Sequence, residues 1–504
     1  MRPGTLFRLA LAGTRTDGAR VALTALSAAL ATLSGLAALT VLAIVKPPGD
    51  AWTESTQYTN ALLREPGLRP GVALALLLLM VPVLGLAGQC ARLGAPARDR
   101  RLAALRLAGA TPGEVTWIAV AETGLASLLG TGTGLVVYLV GRRLLHRPDP
   151  DGRLPLPTDV HPAPAAIVAV VVGLPLVTAA VSALLLRRVT TTPFGVVRRV
   201  RTRAPWPWPG LLILLGLAMF AAFQPVGLWY ERRYGEPPVW LLPTLLIGGS
   251  LAAMVGVVAG TGWISHTTGR VLHRYARRPA TLLAARRLTA DPWAGSRTFA
   301  ALLAALIFGA GAAGFRAGFL ADAELHRRVG GGFAAPDGFY LRALGLVDLA
   351  VGVAVAIAAG GLLVAVVEGV TARRRTYAAL VASGVPRGTI GRSLLWQSLT
   401  PAVPAIGLAL TVGYLLVRGV YRAPSGGGYA EEVCDAGPRL CGDPLTGAQY
   451  TRTEWVPKVT VTPDVPWEQL AWFGAGGLAA VLLTVGAGAL FLRVGTTVEE
   501  LRAT

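Results

Sequence analysis

Two stretches of the chain decide its fold: Arg101-Leu-Ala-Ala-Leu-Arg-Leu-Ala-Gly-Ala-Thr-Pro-Gly113 and Arg374-Arg-Thr-Tyr-Ala-Ala-Leu-Val-Ala-Ser-Gly-Val-Pro-Arg-Gly388. In the first, Leu and Ala dominate from Arg98 to Ala108 with no Gly or Pro, so the segment favours helix. Leu102 and Leu105 stand one helical step apart, while Arg101 and Arg106 can reach water. Gly109 then stops the helix, at a position that often needs a left-handed residue. Thr111-Pro112 restarts the chain with proline early in the next helix. The second copy, over 372–390, has the same grammar with Gly384 and Pro386. At an offset of 275, Ala104, Leu105, Gly109 and Gly113 fall on Ala379, Leu380, Gly384 and Gly388, and Glu122 falls on Gln397. Each copy reads in one of two ways: as a rigid elbow shaped to receive force from a partner, or as an ordinary tight loop joining two apolar helices.

The surroundings of both copies are apolar. Of 504 residues, 53% are hydrophobic and 15% charged, the formal net charge is +20 and the mean hydropathy is +0.56. A soluble globular protein carries roughly a quarter of its residues as charges, and a disordered chain is polar; both classes are excluded. Crossing about 30 Å of hydrocarbon takes roughly 20 apolar helical residues. Ten runs qualify: 21–45, 71–91, 115–140, 164–186, 209–230, 239–263, 298–315, 345–367, 393–417 and 470–492. The seventh is the shortest. The alternation of a barrel strand is absent, which leaves helix as the spanning structure. The expected fold is an all-α integral membrane protein of ten transmembrane helices.

Charge sets the expected orientation. With both termini in the cytoplasm, 29 of the 47 basic residues lie inside and 18 outside, a bias that follows the positive-inside rule. Trp206, Trp208 and Trp263 fall at inner boundaries, and Trp229, Trp240, Trp467 and Trp472 at outer ones, where amphipathic rings prefer to sit. The repeat extends beyond the elbows: Arg20 matches Arg297 at an offset of 277, and Thr192–Arg198 resembles Thr496–Arg502. The chain therefore divides into two parallel four-span units, 1–205 and 271–504, with a central helix pair at 206–270. Their relation is by an axis along the membrane normal.

The pattern R-x-x-x-L-R-x-x-G-A-x-x-x-x-V, followed by a Glu inside the next span, resembles the FtsX-like permease family, the membrane subunits of MacB-, Lol- and Bce-type ABC transporters. The resemblance covers 98–140 and 372–417 and extends to Pro193–Arg198. It implies a noncatalytic permease pair in one polypeptide of the bacterial cell membrane, worked by a separate cytoplasmic ABC ATPase dimer that binds ATP and Mg. The ATPase-coupling residues would be Arg101, Leu105, Arg106, Gly109, Pro112, Arg375, Leu380, Gly384 and Pro386. Relatives often carry a large outer domain after the first span of a unit; here the corresponding loops, 46–70 and 316–344, are short, and the longest outside segment is 418–469.

That segment holds Cys434 and Cys441, which read as an exported disulfide, with two free thiols as the alternative. Inside the spans, Glu122, Gln397 and Glu368 are the polar positions that cost most in hydrocarbon, and Asp348 lies near the outer end of the eighth run. Glu122 reads as a carboxylate bonded across the bundle to an Arg, either permanently or with exchange of partners. Runs such as Gly130-Thr-Gly-Thr-Gly134 and Gly309–Gly314 permit close helix approach. The two Lys residues, Lys46 and Lys458, sit in no P-loop, the five His show no metal-ligand spacing, and no nucleophile motif occurs. A catalytic role, a resident cofactor and nucleic-acid binding are therefore not expected. Two rivals to the permease stay open: an ion-gradient-driven secondary transporter, and a scaffold that regulates cell-envelope enzymes. The cargo, peptide or lipid, is not encoded in any motif.

Overall fold

The structure, a computed structural model, describes residues 15–45, 55–64, 69–90, 103–104, 106–190, 206–235, 237–238, 240–329, 337–420, 423–434 and 451–495. In chain order its helices and strands are α1 (Arg15–Leu42), α2 (Ala61–Arg64), α3 (Arg69–Leu78), α4 (Met80–Cys90), α5 (Pro112–Leu145), α6 (Pro164–Thr190), α7 (Trp208–Tyr234), α8 (Leu241–Tyr275), α9 (Pro279–Ala290), α10 (Trp293–Val329), α11 (Asp337–Ala372), α12 (Arg374–Ala382), α13 (Arg387–Val420), β1 (Ser425–Gly426), β2 (Tyr429–Cys434), β3 (Thr451–Val456), β4 (Val459–Thr460) and α14 (Trp467–Gly495).

Among the described residues, eight helices are long and apolar enough to cross a membrane, against the ten spans expected. The second expected span is two helices of 10 and 11 residues, interrupted at Leu79. Pro82 explains the interruption: it has no N–H to give the Leu78 carbonyl, and its ring crowds that carbonyl. The fourth, among the described residues, is an apolar stretch of Pro164–Ala180 in a helix that continues to Thr190, and the residues that follow it, Val181-Ser-Ala-Leu-Leu-Leu186, are apolar as well. The seventh, read as 298–315, is instead an apolar helix of 32 residues, Thr298–Val329.

The segment between α13 and α14 corrects the all-α expectation. β2 pairs antiparallel with β3, from Tyr429↔Val456 to Cys434↔Thr451, and β1 pairs with β4. Tyr, Val, Thr and Trp supply the β-propensity. Gly427 and Gly428, at φ +82 and +78, turn the chain between β1 and β2.

The two halves pack alike. α1 lies on α5 as α10 lies on α13; α5 meets α6 as α13 meets α14; α1 meets α3 and α4 as α10 meets α11. Burial along α5 and α13 matches at the offset of 275: Gly130, Thr131 and Gly134 are buried, as are Ala405, Ile406 and Ala409, while Leu128, Leu129 and Val136 are exposed, as are Val403, Pro404 and Thr411. The correspondence ends one turn further out, where Val412 is 2% exposed and Val137 54%. The cause is the α7–α8 pair, which packs on α10 and α13 and brings Phe220 into one cluster with Val412 and Leu416. Among the described residues nothing equivalent covers α5. The halves meet where α4 packs on α10 and α11.

Close approach needs residues without side chains. A Cβ on Gly130 would collide with the Ala25 carbonyl oxygen of α1, and one on Gly413 with the Ile307 carbonyl oxygen of α10. Outside the spans, a short lobe caps the first half: Tyr58 is fully buried, its hydroxyl donates to Asp159 at 3.0 Å, and the Arg69 Nε donates to the Leu63 carbonyl at 2.8 Å. Burial, reinforced by the Asp159 carboxylate, pushes the Tyr58 phenol above its ordinary range, with the Arg69 charge opposing. All seven Trp placed at membrane boundaries are exposed on the protein surface.

Gly130→Leu and Gly413→Leu are each expected to destabilise the fold by about 1–3 kcal/mol through overpacking. Gly132→Leu, at a position with nothing within 4 Å, should leave it unchanged; thermal unfolding in detergent micelles measures all three.

Candidate functional site

The two elbows superimpose in their hydrogen bonds as well as their sequence. Ahead of α5, Ala108 N–H donates to Ala104 O at 3.0 Å and Gly109 N–H to Arg106 O at 2.9 Å. Ahead of α13, Ser383 N–H donates to Ala379 O and Gly384 N–H to Val381 O, both at 3.0 Å. Gly109 and Gly384 have φ of +94 and +92, a region costly to residues with a Cβ. In the second elbow Val385 N–H also donates to Leu380 O at 3.0 Å, the bond that closes a helix over its left-handed residue.

The restarts differ. Thr111 caps α5: its hydroxyl accepts from Glu114 N–H at 3.3 Å, while the Glu114 carboxylate accepts from Thr111 N–H at 2.9 Å. Pro112 then takes the first turn, where its missing N–H costs nothing. Pro386 aligns with Thr111 rather than with Pro112, so the second elbow has a proline where the first has the capping hydroxyl.

Of the residues assigned to coupling, Arg101 and Leu105 lie outside the described residues, as does the side chain of Arg375. Arg106 is half-buried, with no hydrogen-bond partner for its Nε among the described residues. Leu107, beside it, is 91% exposed. Leu380 packs with Val381 and Val385 against a cluster of Val370, Tyr377 and Ile390, which seats α12 on the ends of α11 and α13.

About 15 Å along α5 from its start, the Glu122 Oε1 accepts from the Arg20 Nη2 of α1; both side chains are under a tenth exposed. In a low dielectric neither charge is tolerable alone. The matching residue, Gln397, accepts from Arg287 Nη1 at 3.1 Å. That arginine lies on α9, a helix that the span-by-span reading of the sequence missed, and not at Arg297, which the offset pairs with Arg20. Its guanidinium carbon also sits 5.0 Å from the centroid of the Tyr377 ring. The signal for α9 was available in Pro279-Ala-Thr-Leu-Leu-Ala-Ala-Arg-Arg-Leu288: a proline start, and small or apolar residues at 280, 284 and 288 that lie on one face and are buried.

The remaining polar positions stand apart from the elbows or at their edge. Asp348 accepts from Arg316 at 3.0 Å, joining α11 to α10. Glu368 is half-buried near the C-terminal end of α11, its backbone carbonyl accepting from Thr371 at 2.9 Å. Cys434 ends β2, and Cys441, with the pairing of the two, lies outside the described residues.

A family model described as FtsX-like permease C-terminal matches residues 72–194 and 349–497. No curated protein matches the chain, and no solved structure does. The matched segments contain both elbows, Glu122 and Gln397; Arg20 and Arg287 lie outside them.

Removing one member of the buried pair, by Arg20→Met or Glu122→Leu, is expected to cost about 3–5 kcal/mol by stranding the other charge. The double substitution should cost less than either single one. Thermal unfolding of the three variants in detergent gives the comparison.

Proposed function

We propose that this chain, which belongs to the FtsX-like permease family, is a permease subunit of an ABC transporter and works as a passive lever. A separate cytoplasmic ATPase dimer, which binds ATP and Mg, would dock on the two elbows. Closure of that dimer would move the spans and act on a peptide or lipid cargo, or on a signalling partner, at the outer face. Both termini and both elbows would then lie in the cytoplasm of a bacterial cell, with α3–α4 and α6 completing ten spans.

The single observation behind this reading is the pair of elbows 275 residues apart, each with a glycine near φ +93, the same turn hydrogen bonds and a long apolar helix immediately after. A turn held in the left-handed region by hydrogen bonds on both sides transmits displacement instead of absorbing it. The exposed Leu107 at the first elbow supports docking, because a large apolar side chain left uncovered at the end of a short helix gains by burial against a partner. The Arg20–Glu122 and Arg287–Gln397 contacts, at matched positions a few turns beyond the elbows, would carry the movement into the neighbouring helices.

The test is co-purification with a P-loop ABC ATPase from the same cell, followed by nucleotide hydrolysis in reconstituted membranes. Gly109→Val and Gly384→Val place a β-branched residue at positive φ, a local cost of about 1–2 kcal/mol. Each is expected to insert normally and to lower chain-stimulated ATP hydrolysis about tenfold. Unchanged stimulation, labelling of the elbows from the outer face, or cargo movement by the chain alone would overturn the reading.

A further inference from the structure

The inserted pair α7–α8 has no counterpart in the first half, and its inner end leads directly into α9. Three residues join α8 to α9, and Leu282 N–H donates to Arg278 O at 3.1 Å in the first turn of α9. α9 lies flush on α8: a Cβ built on Gly269 would stand 2.7 Å from the Cβ of Leu288. Ala280, Ala284, Ala285 and Leu288 are buried on that helix. α9 also packs on α13 and, with the half-buried Arg287, reaches two elements at once: Gln397 of α13 and the Tyr377 ring of α12.

We propose that Arg287 is the positioning residue that ties the second elbow to the inserted helix pair, so that α7 and α8 ride with the second elbow and not with the first. The two elbows are wired differently. In the first half Glu122 meets Arg20, a residue of α1, and the position equivalent to Tyr377 is Leu102, which offers no ring to a cation. In the second half the acceptor is a neutral amide, and the arginine is shared between that amide and an aromatic face. Tyr377 is 3% exposed, and its hydroxyl has no hydrogen-bond partner among the described residues, so packing and the guanidinium above it are what orient the ring. From α9 the link continues through α8 to the cluster of Phe220, Val412 and Leu416, which puts the outer half of α13 under the same control.

Amide hydrogen exchange on the full chain in phospholipid nanodiscs tests this. Arg287→Ala is expected to speed exchange about tenfold across Arg374–Ala382 and Pro279–Ala290, and to speed it measurably at the inner end of α8, 265–275. Amides 112–118 at the first elbow should stay as in the parent chain. Gln397→Glu, which turns the hydrogen bond into an ion pair, should slow the same segments, and Arg286→Ala, at the exposed neighbour, should change none of them. Unchanged exchange across Arg374–Ala382, equal loosening of both elbows, or loosening of α12 without α9 and α8 would each overturn the proposal. The mechanical purpose of this tie rests on the transmission reading above. The exchange experiment involves neither nucleotide nor ATPase, so its failure and the failure of that reading are separate results.

Discussion

Hydrocarbon offers no hydrogen bonds, so every polar group inside the spans must find its partner within the chain, and much of this structure follows from that constraint. Backbone groups are satisfied by helix. Hydroxyls turn back on their own helix: Thr32 donates to the Ala28 carbonyl, Thr40 to that of Leu36 and Thr484 to that of Ala480. The few side chains that cannot do this reach across the bundle. Arg20 with Glu122, Arg287 with Gln397 and Arg316 with Asp348 are such contacts among the described residues, and in each an arginine supplies the donor. In the first two the same chemistry appears at matched positions, with a charge in one half and an amide in the other.

The elbows work under a different constraint. A short helix must end, reverse and begin again within about four residues at the membrane boundary. A left-handed glycine does this at no steric cost, and turn hydrogen bonds on either side hold it in place. Because the geometry is specified by backbone alone, it survives the exchange of Thr111-Pro112 for Pro386-Arg387. On the proposed transmission reading, the stiff turn and the buried polar contact would together define a short path from the elbow into the bundle. In the second half Arg287 contacts both Gln397 of α13 and the Tyr377 ring of α12.

Much of this was legible in residue order, because lipid enforces a blunt code. A run of twenty apolar residues has few alternatives to a helix, and glycine after an Ala-Leu stretch has few alternatives to a stop. Both elbows and the polar positions Glu122 and Gln397 could be read that way. Other features escaped for identifiable reasons. Pro82 lies inside an apolar run whose hydropathy hides the break it causes at Leu79. The strands between Ser425 and Thr460 are short and lie in a segment weighed for its cysteines. α9 is too short and too polar to register as a span, and its alanine-rich face is quiet on any hydrophobicity scale.

Residue order by itself determined a helical membrane protein with two copies of one turn, since periodicity, apolar length and the positive-φ demand on Gly109 and Gly384 are local properties. Only the tertiary structure decided which arginine serves which acceptor. Arg297 is the sequence counterpart of Arg20, yet Arg287 takes Gln397, because α9 folds back against α8 and α13 and delivers its side chain there. Tertiary packing also decided that the inserted helix pair belongs to the second half, through the burial of Val412 and Leu416 beneath Phe220. Such choices depend on distances between segments more than a hundred residues apart, and local pattern carries no record of them.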